Sequence, residues 1–244
     1  MKQRLDRYIV ENRLTNSRSQ AENYIRLGRV TVNGEAIKKC GFIVSTVDKV
    51  VLNIPEQYVS RAGLKLASVS NNFHLNFTGK VVLDIGSSTG GFTDYALRHG
   101  ARMVYAVDVG TDQLHPSLRG NDQIKLYEKT DIRDFIPPET IDIILADVSF
   151  ISLREILPHV AKTAMNKKTL LVAMVKPQFE AGRNQTNRGV VKNNAVRRRI
   201  LSDFEIWARQ YFSIIDKRDS GVSGAKGNVE RFYVLKLIKT CSKH

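Results

Sequence analysis

The feature that most constrains the fold is a series of short β-rich runs separated by helical patterns, which begins near residue 81. The runs lie at residues 81–85, 104–107, 124–128, 141–147, 170–176, 212–217 and 232–238. Strands that alternate with helices indicate a mostly parallel sheet covered by helices on both faces. We therefore predict an α/β domain for this part of the chain.

A glycine-rich turn follows the first of these runs. It reads Gly86-Ser87-Ser88-Thr89-Gly90-Gly91, and a helix begins near Phe92. Glycines at a strand-to-helix turn let the backbone approach a ligand, and the start of the helix offers unpaired N–H groups. Asp108 ends the next strand about 20 residues on, where an acid usually binds ribose hydroxyls. Asp131 follows the third strand. This pattern predicts a nucleoside site, with a purely structural turn as the alternative.

The chemistry of the turn favours S-adenosylmethionine over a dinucleotide. The glycines do not follow the G-x-G-x-x-G spacing that cradles a diphosphate, and Asp84 lies just before the turn. S-adenosylmethionine has no diphosphate, but it carries an ammonium that an acid can pair with and a carboxylate that N–H groups can bind. An NAD-dependent enzyme is therefore disfavoured.

Four further polar residues lie at the ends of strands or beside them: Lys65, Asp147, Lys176 and Glu230. Ligands of open α/β sheets bind outside the carboxyl ends of the strands. Asp147 and Lys176 each end a strongly apolar run, so we expect both side chains to reach that crevice. The proline after Lys176 favours a fixed position over a surface lysine.

The first 50 or so residues form a separate basic unit of two short helices, near 5–14 and 18–27, with short strands at 30–32, 43–44 and 50–52. Asn33-Gly34 predicts a tight hairpin turn. The whole chain carries a formal net charge of +14 and an isoelectric point near 9.9. Such a surplus points to a polyanionic partner, most often nucleic acid. A solvated helical face is the alternative explanation of the charges in this unit.

Several classes of protein are not expected. Two distant cysteines, Cys40 and Cys241, do not fit a disulfide framework or a structural zinc site, and they suit the cytosol. The first residues have no apolar stretch typical of a secretory signal. The longest apolar run covers residues 170–175, whereas a membrane span needs about 20 residues. We predict a cytoplasmic monomer that uses no metal.

Four segments closely resemble the TlyA family of bacterial ribosomal RNA ribose 2′-O-methyltransferases, often called haemolysins. They are residues 84–94, 104–110, 149–153 and 175–182. Residues 1–53 resemble an S4 RNA-binding domain through Arg4-Leu5-Asp6, Ser17-Arg18, Gly28 and Val32-Asn33-Gly34. The resemblance implies a small α+β domain at 1–53, a linker at 54–62, and a Rossmann-like class I methyltransferase domain with a seven-stranded, mostly parallel sheet at 63–244.

The resemblance places a catalytic tetrad on Lys65, Asp147, Lys176 and Glu230. A ribose 2′-hydroxyl is a weak nucleophile, so methyl transfer to it needs in-line placement and a base. Lysine serves as a base only where its ammonium form is disfavoured. We assign Lys176 as the general base and Lys65 as the group that favours its neutral form, with both carboxylates fixing the lysines. In a second interpretation Lys176 stays charged and only steers the hydroxyl.

The resemblance also implies the contacts to cofactor and RNA. The residues expected to bind S-adenosylmethionine are Asp84, Gly86, Ser87, Ser88, Gly90, Gly91, Phe92, Asp108, Asp131 and Asp147. The residues expected to bind RNA are Lys2, Arg4, Arg7, Arg18, Lys38, Lys39, Arg183 and Arg188. Arg183, Arg188, Lys192 and the three consecutive arginines at residues 197–199 form a second basic cluster, which could bind RNA phosphates. A charged helix face explains residues 197–199 equally well.

The function implied is S-adenosylmethionine-dependent methylation of cytidine in ribosomal RNA of the large subunit, with the small subunit as a further target. Two alternatives belong to other classes. A non-catalytic RNA-binding or ribosome-assembly factor would bind RNA without S-adenosylmethionine, and a haemolysin would lyse membranes.

Overall fold

The structure is a computed structural model that describes residues 2–15, 17–26, 28–53, 58–181, 190–191, 193–222, 224 and 228–238. The chain divides into two compact units, residues 1–57 and 58–244. The predicted domain limits at residues 53 and 63 stay predictions. The second unit's first helix begins at Arg61, inside the predicted linker, because Ser60 is the last extended residue and its carbonyl accepts a hydrogen bond from Gly63.

The N-terminal unit combines two short helices with two small sheets. Its elements are β1 (Lys2–Arg4), α1 (Leu5–Glu11), α2 (Arg18–Arg26), β2 (Val30–Val32), β3 (Glu35–Ile37), β4 (Ile43–Ser45) and β5 (Val50–Leu52). One sheet pairs β1 with β4, and the other has the order β3-β2-β5. The predicted hairpin at Asn33-Gly34 is confirmed, because Val32 pairs with Glu35 and both turn residues have positive φ. The sequence did not predict β1 or β3.

A buried carboxylate joins the start of this unit to its second helix. The helices and strands enclose an apolar core that includes Leu5, Ile9 and Ile25. Beside it, Asp6 is fully buried and accepts hydrogen bonds from Arg4 at 2.8 and 3.0 Å and from Arg18 at 2.9 and 3.2 Å. The hydrogen bond from Arg4 and that from Arg18, opposed by burial, lower the pKa of Asp6 to about 2.

The second unit has the α/β architecture that the sequence predicted. Its elements are α3 (Arg61–Ser70), β6 (Val81–Ile85), α4 (Gly91–Arg98), β7 (Met103–Val107), β8 (Ile124–Tyr127), β9 (Ile143–Ala146), α5 (Leu153–Thr163), β10 (Leu170–Val175), α6 (Pro177–Glu180), α7 (Asn194–Ala208), β11 (Phe212–Asp219) and β12 (Arg231–Leu237). All seven strands form one sheet in the order β11-β12-β10-β9-β6-β7-β8.

The sheet is parallel except for β12, which pairs antiparallel with both β10 and β11. The predicted seven-stranded, mostly parallel α/β sheet is therefore confirmed. The strand order reverses beside β6, since the chain moves outward from β6 to β7 and β8 and then returns to β9 on the other side. In open α/β sheets such a switch point forms a ligand-binding crevice at the carboxyl ends of the strands.

Helices cover both faces of this sheet. Alternate residues of β6 explain why its sequence is continuously apolar: Leu83 and Ile85 pack on one face, and Val82 packs on the other. The first face is covered by α5 and α7, and the second by α3 and α4. Asp84 follows the alternation to the second face, so its carboxylate lies under α4 and not at the surface.

We expect Asp6→Asn to destabilise the N-terminal unit, because two arginines lose a charged acceptor. The loss should be about 1–2 kcal/mol, since both arginine side chains are about half exposed. Amide exchange of α1 in the full chain should accelerate about tenfold. Because the pKa of Asp6 in the fold, about 2, lies below its ordinary 3.8, its contribution holds above about pH 4 and disappears as the pH falls toward 2. Unchanged exchange in the variant would contradict this role.

Candidate active site

The glycine turn at the end of β6 has a conformation that side chains would disturb. Gly86 and Gly90 have φ values of +78° and +87°. A Cβ at Gly86 would lie 2.8 Å from the carbonyl oxygen of Asp147, and one at Gly90 would overlap two leucine side chains. Gly91 faces α3, where a Cβ would lie 2.9 Å from the backbone nitrogen of Gly63. Gly90 and Gly91 therefore allow close packing against the leucine side chains and α3, while Gly86 lets β6 and the end of β9 approach each other at the crevice.

Asp84 is a buried carboxylate with an unused oxygen. Its side chain is 1% exposed, and Oδ2 accepts a hydrogen bond of 2.6 Å from the Thr93 hydroxyl on α4. Oδ1 has no partner among the described residues. Burial, opposed by the hydrogen bond from Thr93 and reinforced by the negative charge of Asp147, raises the pKa of Asp84 to about 7. A cation placed at Oδ1 would stabilise the charged form.

Asp108 joins the glycine turn to the end of β7. Its Oδ2 accepts a hydrogen bond of 2.8 Å from the backbone of Ser88, and its Oδ1 accepts one of 2.7 Å from the backbone of Gly110. Ser88 also donates its hydroxyl to Gln113 at 2.9 Å. A carboxylate has about four acceptor positions, so Asp108 keeps capacity for a ribose hydroxyl.

Two adjoining cavities open at this edge of the sheet. Their volumes are about 410 and 140 Å³. Of the predicted cofactor residues, the larger cavity is lined by Gly86, Ser88, Asp108, Asp131 and Asp147, and the smaller by Asp84, Gly86, Ser87, Ser88, Phe92 and Asp147. Gly90 and Gly91 line neither cavity. The shared lining makes the two cavities parts of one elongated crevice, whose smaller part also reaches Lys176.

Asp131 differs from the expectation in one respect. It caps the short 3-10 turn Ile132–Asp134 and lines the larger cavity, but its carboxylate is already paired with Arg133, at 3.0 Å to Oδ1 and 2.6 Å to Oδ2. The hydrogen bonds from Arg133 lower the pKa of Asp131. Its charge is therefore balanced within the chain, so any contact to a ligand would use its remaining acceptor positions.

The strand register places three residues of the predicted tetrad at the same edge. Asp147 directly follows β9 and Lys176 directly follows β10. Val175 pairs with Arg231 across β10 and β12, so Lys176 and Glu230 are the next residues beyond that pair. The antiparallel direction of β12 is what brings Glu230 to the carboxyl ends of the parallel strands.

The four side chains form two ion pairs. Lys65 Nζ, from α3, lies 3.0 Å from Glu230 Oε1, and Lys176 Nζ lies 2.5 Å from Asp147 Oδ1. The exposed fractions of these side chains are between 2% and 14%. Charges so far removed from water are tolerated only when they are paired. Each lysine thus has a carboxylate that fixes it, while Lys176 still lines the smaller cavity.

The sequence did not single out Ser149, which completes the surroundings of Lys176. Lys176 Nζ donates a hydrogen bond of 2.8 Å to the Ser149 hydroxyl, and Ser149 lines both cavities. The next residue, Phe150, has φ of +68° and is 92% exposed, with its ring 5.3 Å from that of Phe179. A large exposed ring in a left-handed conformation is unusual and indicates a functional constraint on the loop. The sequence analysis identified only the segment 149–153, which contains Ser149 and Phe150, and assigned neither residue a role.

Glu180 fastens this loop to α6. Its carboxylate accepts hydrogen bonds of 2.6 Å from the Ser152 hydroxyl and 2.8 Å from the backbone of Leu153. Burial, opposed by these hydrogen bonds, raises the pKa of Glu180. The loop after β9 and the turn after β10 are therefore held together, which keeps Ser149 next to Lys176.

The predicted RNA-binding residues fall into three groups. Lys2, Arg7, Lys38 and Lys39 are exposed on the N-terminal unit. Arg4 and Arg18 are about half exposed, but their guanidinium groups pair with Asp6. Arg183 and Arg188 lie outside the described residues. Of the three consecutive arginines, Arg197 is paired within the fold, whereas residues 198 and 199 are exposed.

Comparison with known proteins identifies relatives that span nearly the whole chain. The family model for FtsJ-like methyltransferases matches residues 58–237, and the model for the S4 domain matches residues 3–54. The "23S rRNA (cytidine-2'-O)-methyltransferase TlyA" of Campylobacter jejuni is 35% identical over 247 residues, which cover 93% of this chain and 96% of that protein. "Hemolysin A" of Brachyspira hyodysenteriae is 38% identical over 235 residues, which cover 93% of this chain and 97% of that protein.

A solved structure agrees with these matches. A hemolysin-named protein from Streptococcus thermophilus superposes with a TM-score of 0.72 at 36% sequence identity, covering 98% of this chain and 89% of that one. The similarity therefore includes the fold as well as the sequence.

We expect Gly86→Ala to destabilise the protein more than Gly79→Ala. Both glycines have positive φ, +78° and +69°, so alanine costs about 1–2 kcal/mol at either position. A Cβ at Gly79 meets nothing within 4 Å, whereas one at Gly86 meets the backbone of Asp147 at 2.8 Å, which adds about 1–3 kcal/mol. Urea unfolding of both variants measures the difference. Equal losses would show that the close approach at Gly86 is not constraining.

Proposed function

Because the chain belongs to the TlyA family, in which an S4 domain precedes an FtsJ-like methyltransferase domain, we propose that it methylates the ribose 2′-hydroxyl of a cytidine in ribosomal RNA. The relative from Campylobacter jejuni is named for that reaction on 23S rRNA, which favours the large subunit. The observation that carries the proposal is the presence of two lysine–carboxylate contacts, Lys65–Glu230 and Lys176–Asp147, the second of which lines the crevice beside the glycine turn.

The crevice fits S-adenosylmethionine as the methyl donor. Asp84 Oδ1 and the Ser87 hydroxyl are buried polar atoms without a partner among the described residues, and both residues line the smaller cavity. Asp84 would bind the ammonium, the N–H groups at the start of α4 the carboxylate, and Asp108 the ribose hydroxyls. The cofactor supplies a methyl group already activated by its sulfonium.

Lys176 is the proposed general base. Its Nζ takes the proton of the 2′-hydroxyl while the ribose oxygen bonds to the methyl carbon and the bond from that carbon to sulfur breaks, with its electron pair left on sulfur. The lysine thus enters the step as a neutral amine and leaves it as an ammonium. Asp147, 2.5 Å away, stabilises that ammonium. Ser149 holds Nζ from a second direction and so limits where the amine can point.

Lys65 and Glu230 are proposed to orient the hydroxyl. Lys65 is carried by α3 and pairs with Glu230, and neither residue lines the two cavities of the crevice. The same pair fixes the ribose oxygen in line with the methyl group, which is the main requirement of a displacement at carbon.

The RNA would be held mainly by the N-terminal unit, with exposed lysines and arginines on phosphates and the Phe150 ring available for stacking on a base. Folded RNA must turn the target nucleotide outward to present its ribose to such a crevice. No helix in the described parts of the chain is long and apolar enough to cross a membrane. Action as a monomer in the cytoplasm stays a prediction.

Lys176→Ala and Lys176→Arg test the base. General-base catalysis contributes about 10²–10⁴-fold, so both variants should lose at least about a hundredfold in kcat for tritiated methyl transfer to ribosomal RNA. Arginine keeps the charge but cannot lose its proton, so substantial activity in Lys176→Arg would favour steering by a charged group instead. Binding of RNA by the wild type without binding of S-adenosylmethionine, measured by calorimetry, would favour the non-catalytic alternative.

The raised pKa of Asp84 predicts a pH-dependent affinity for S-adenosylmethionine. Because the pKa is about 7, the fraction of charged carboxylate increases between pH 6 and 7.5, and affinity should increase about eightfold over that range. Calorimetry on Asp84→Asn should show weaker binding without this slope. Asp108→Asn is the control, since it should weaken binding but keep the slope. A flat profile in the wild type would contradict the assignment of the ammonium to Asp84.

A further inference from the structure

Asp219, at the end of β11, joins three elements that converge beside Glu230. Its Oδ1 accepts a hydrogen bond of 2.6 Å from Arg197 of α7 and another of 2.6 Å from Arg231 of β12. Asp219 and Arg231 are also register partners across the two strands. Although burial opposes the shift, the hydrogen bonds from Arg231 and Arg197 lower the pKa of Asp219, so it is charged at neutral pH.

The residues on either side of Glu230 are held by the same cluster. Arg197 Nε donates a hydrogen bond of 3.1 Å to the carbonyl oxygen of Val229. The backbone nitrogen of Ser220, which follows Asp219, donates one of 2.9 Å to the carbonyl of Glu230 itself. Val229 is therefore held by Arg197, Glu230 by Ser220 and Arg231 by Asp219.

The Glu230 carboxylate is closely packed, so it has little space in which to move. Its side chain is 2% exposed, and a Cβ at Gly224 would overlap its oxygens. The other half of the ion pair is fixed to the same loop, because the Ser68 hydroxyl donates to the carbonyl of Lys65 and accepts from the backbone of Gly221. A shift of residues 228–230 relative to Gly221 would therefore separate Glu230 from Lys65.

These contacts distinguish Arg197 from its two neighbours in the sequence. Its side chain is only 13% exposed, and its guanidinium is engaged with Asp219 and Val229. The following two arginines are exposed and have no ion pair among the described residues. The basic cluster that the sequence suggested for RNA phosphates thus contains one arginine with an internal role.

We propose that Asp219 and Arg197 are positioning residues, which hold the backbone around Glu230 so that its carboxylate meets Lys65. This inference rests on the proposed function for its kinetic readout only. Neither residue touches the crevice, so their loss should affect the chemical step and leave affinity for RNA and S-adenosylmethionine unchanged.

The test compares Asp219→Asn and Arg197→Gln with Arg209→Gln, an exposed arginine at the other end of α7. A misplacement of about 1 Å can cost a hundredfold in rate, so both variants should lose about 10- to 100-fold in kcat with unchanged KM for RNA. Arg209→Gln should match the wild type. In the Glu230→Gln background, Asp219→Asn should cost less than about twofold, because both changes act through one carboxylate.

Two results would overturn the proposal: additive losses in the double variant, or a raised KM for RNA with unchanged kcat in Arg197→Gln. A second readout does not depend on activity. In Asp219→Asn, amide exchange at residues 229–231 should accelerate about tenfold while exchange in α1 stays unchanged. If the wild type transfers no methyl group, the proposed function is wrong and the kinetic comparison cannot be made. The positioning role is then tested by amide exchange alone, and unchanged exchange at residues 229–231 in Asp219→Asn would contradict it.

Discussion

The site depends on keeping several charges at one edge of a sheet whose strands are buried on both faces. Asp84 is the penultimate residue of β6, and Asp147 and Lys176 directly follow β9 and β10, so three adjacent strands each bring a charged group to the crevice. Burial of an unpaired charge is costly, and Asp147 and Lys176 avoid this cost by forming an ion pair with each other. The antiparallel β12 contributes Glu230 to the same edge, where it pairs with Lys65.

Much of the fold was predictable because periodicity and turn chemistry are local. The alternation of apolar runs predicted the strands of the α/β sheet, and Asn33-Gly34 predicted the hairpin of the N-terminal unit. Beta-strands β1 and β3 escaped prediction because each has only three residues and no run of apolar side chains. Such short strands form because a neighbouring strand pairs with them.

The contacts of the site were less predictable, because partners in space are distant in the sequence. The strand ends indicated where Lys176 and Asp147 would lie, but Ser149 lies in a loop whose path depends on the buried Glu180. Arg133 and Asp131 are near neighbours, yet only the turn geometry shows that they pair. Three consecutive arginines look alike in the sequence, and burial separates the first from the others.

Asp84 and the lysine–carboxylate pairs of the site differ in whether their charges are balanced within the chain. Glu230 and Asp147 each have a lysine partner within the chain, although Glu230 Oε2 has no hydrogen-bond partner among the described residues. Asp84 has no cationic partner among the described residues, and its pKa is raised to about 7. On the proposed function, the ammonium of S-adenosylmethionine supplies the missing charge at Asp84. Cofactor binding would therefore supply the cation that Asp84 lacks, whereas the two lysine–carboxylate pairs are formed within the chain itself, which places their charges before the ribose arrives.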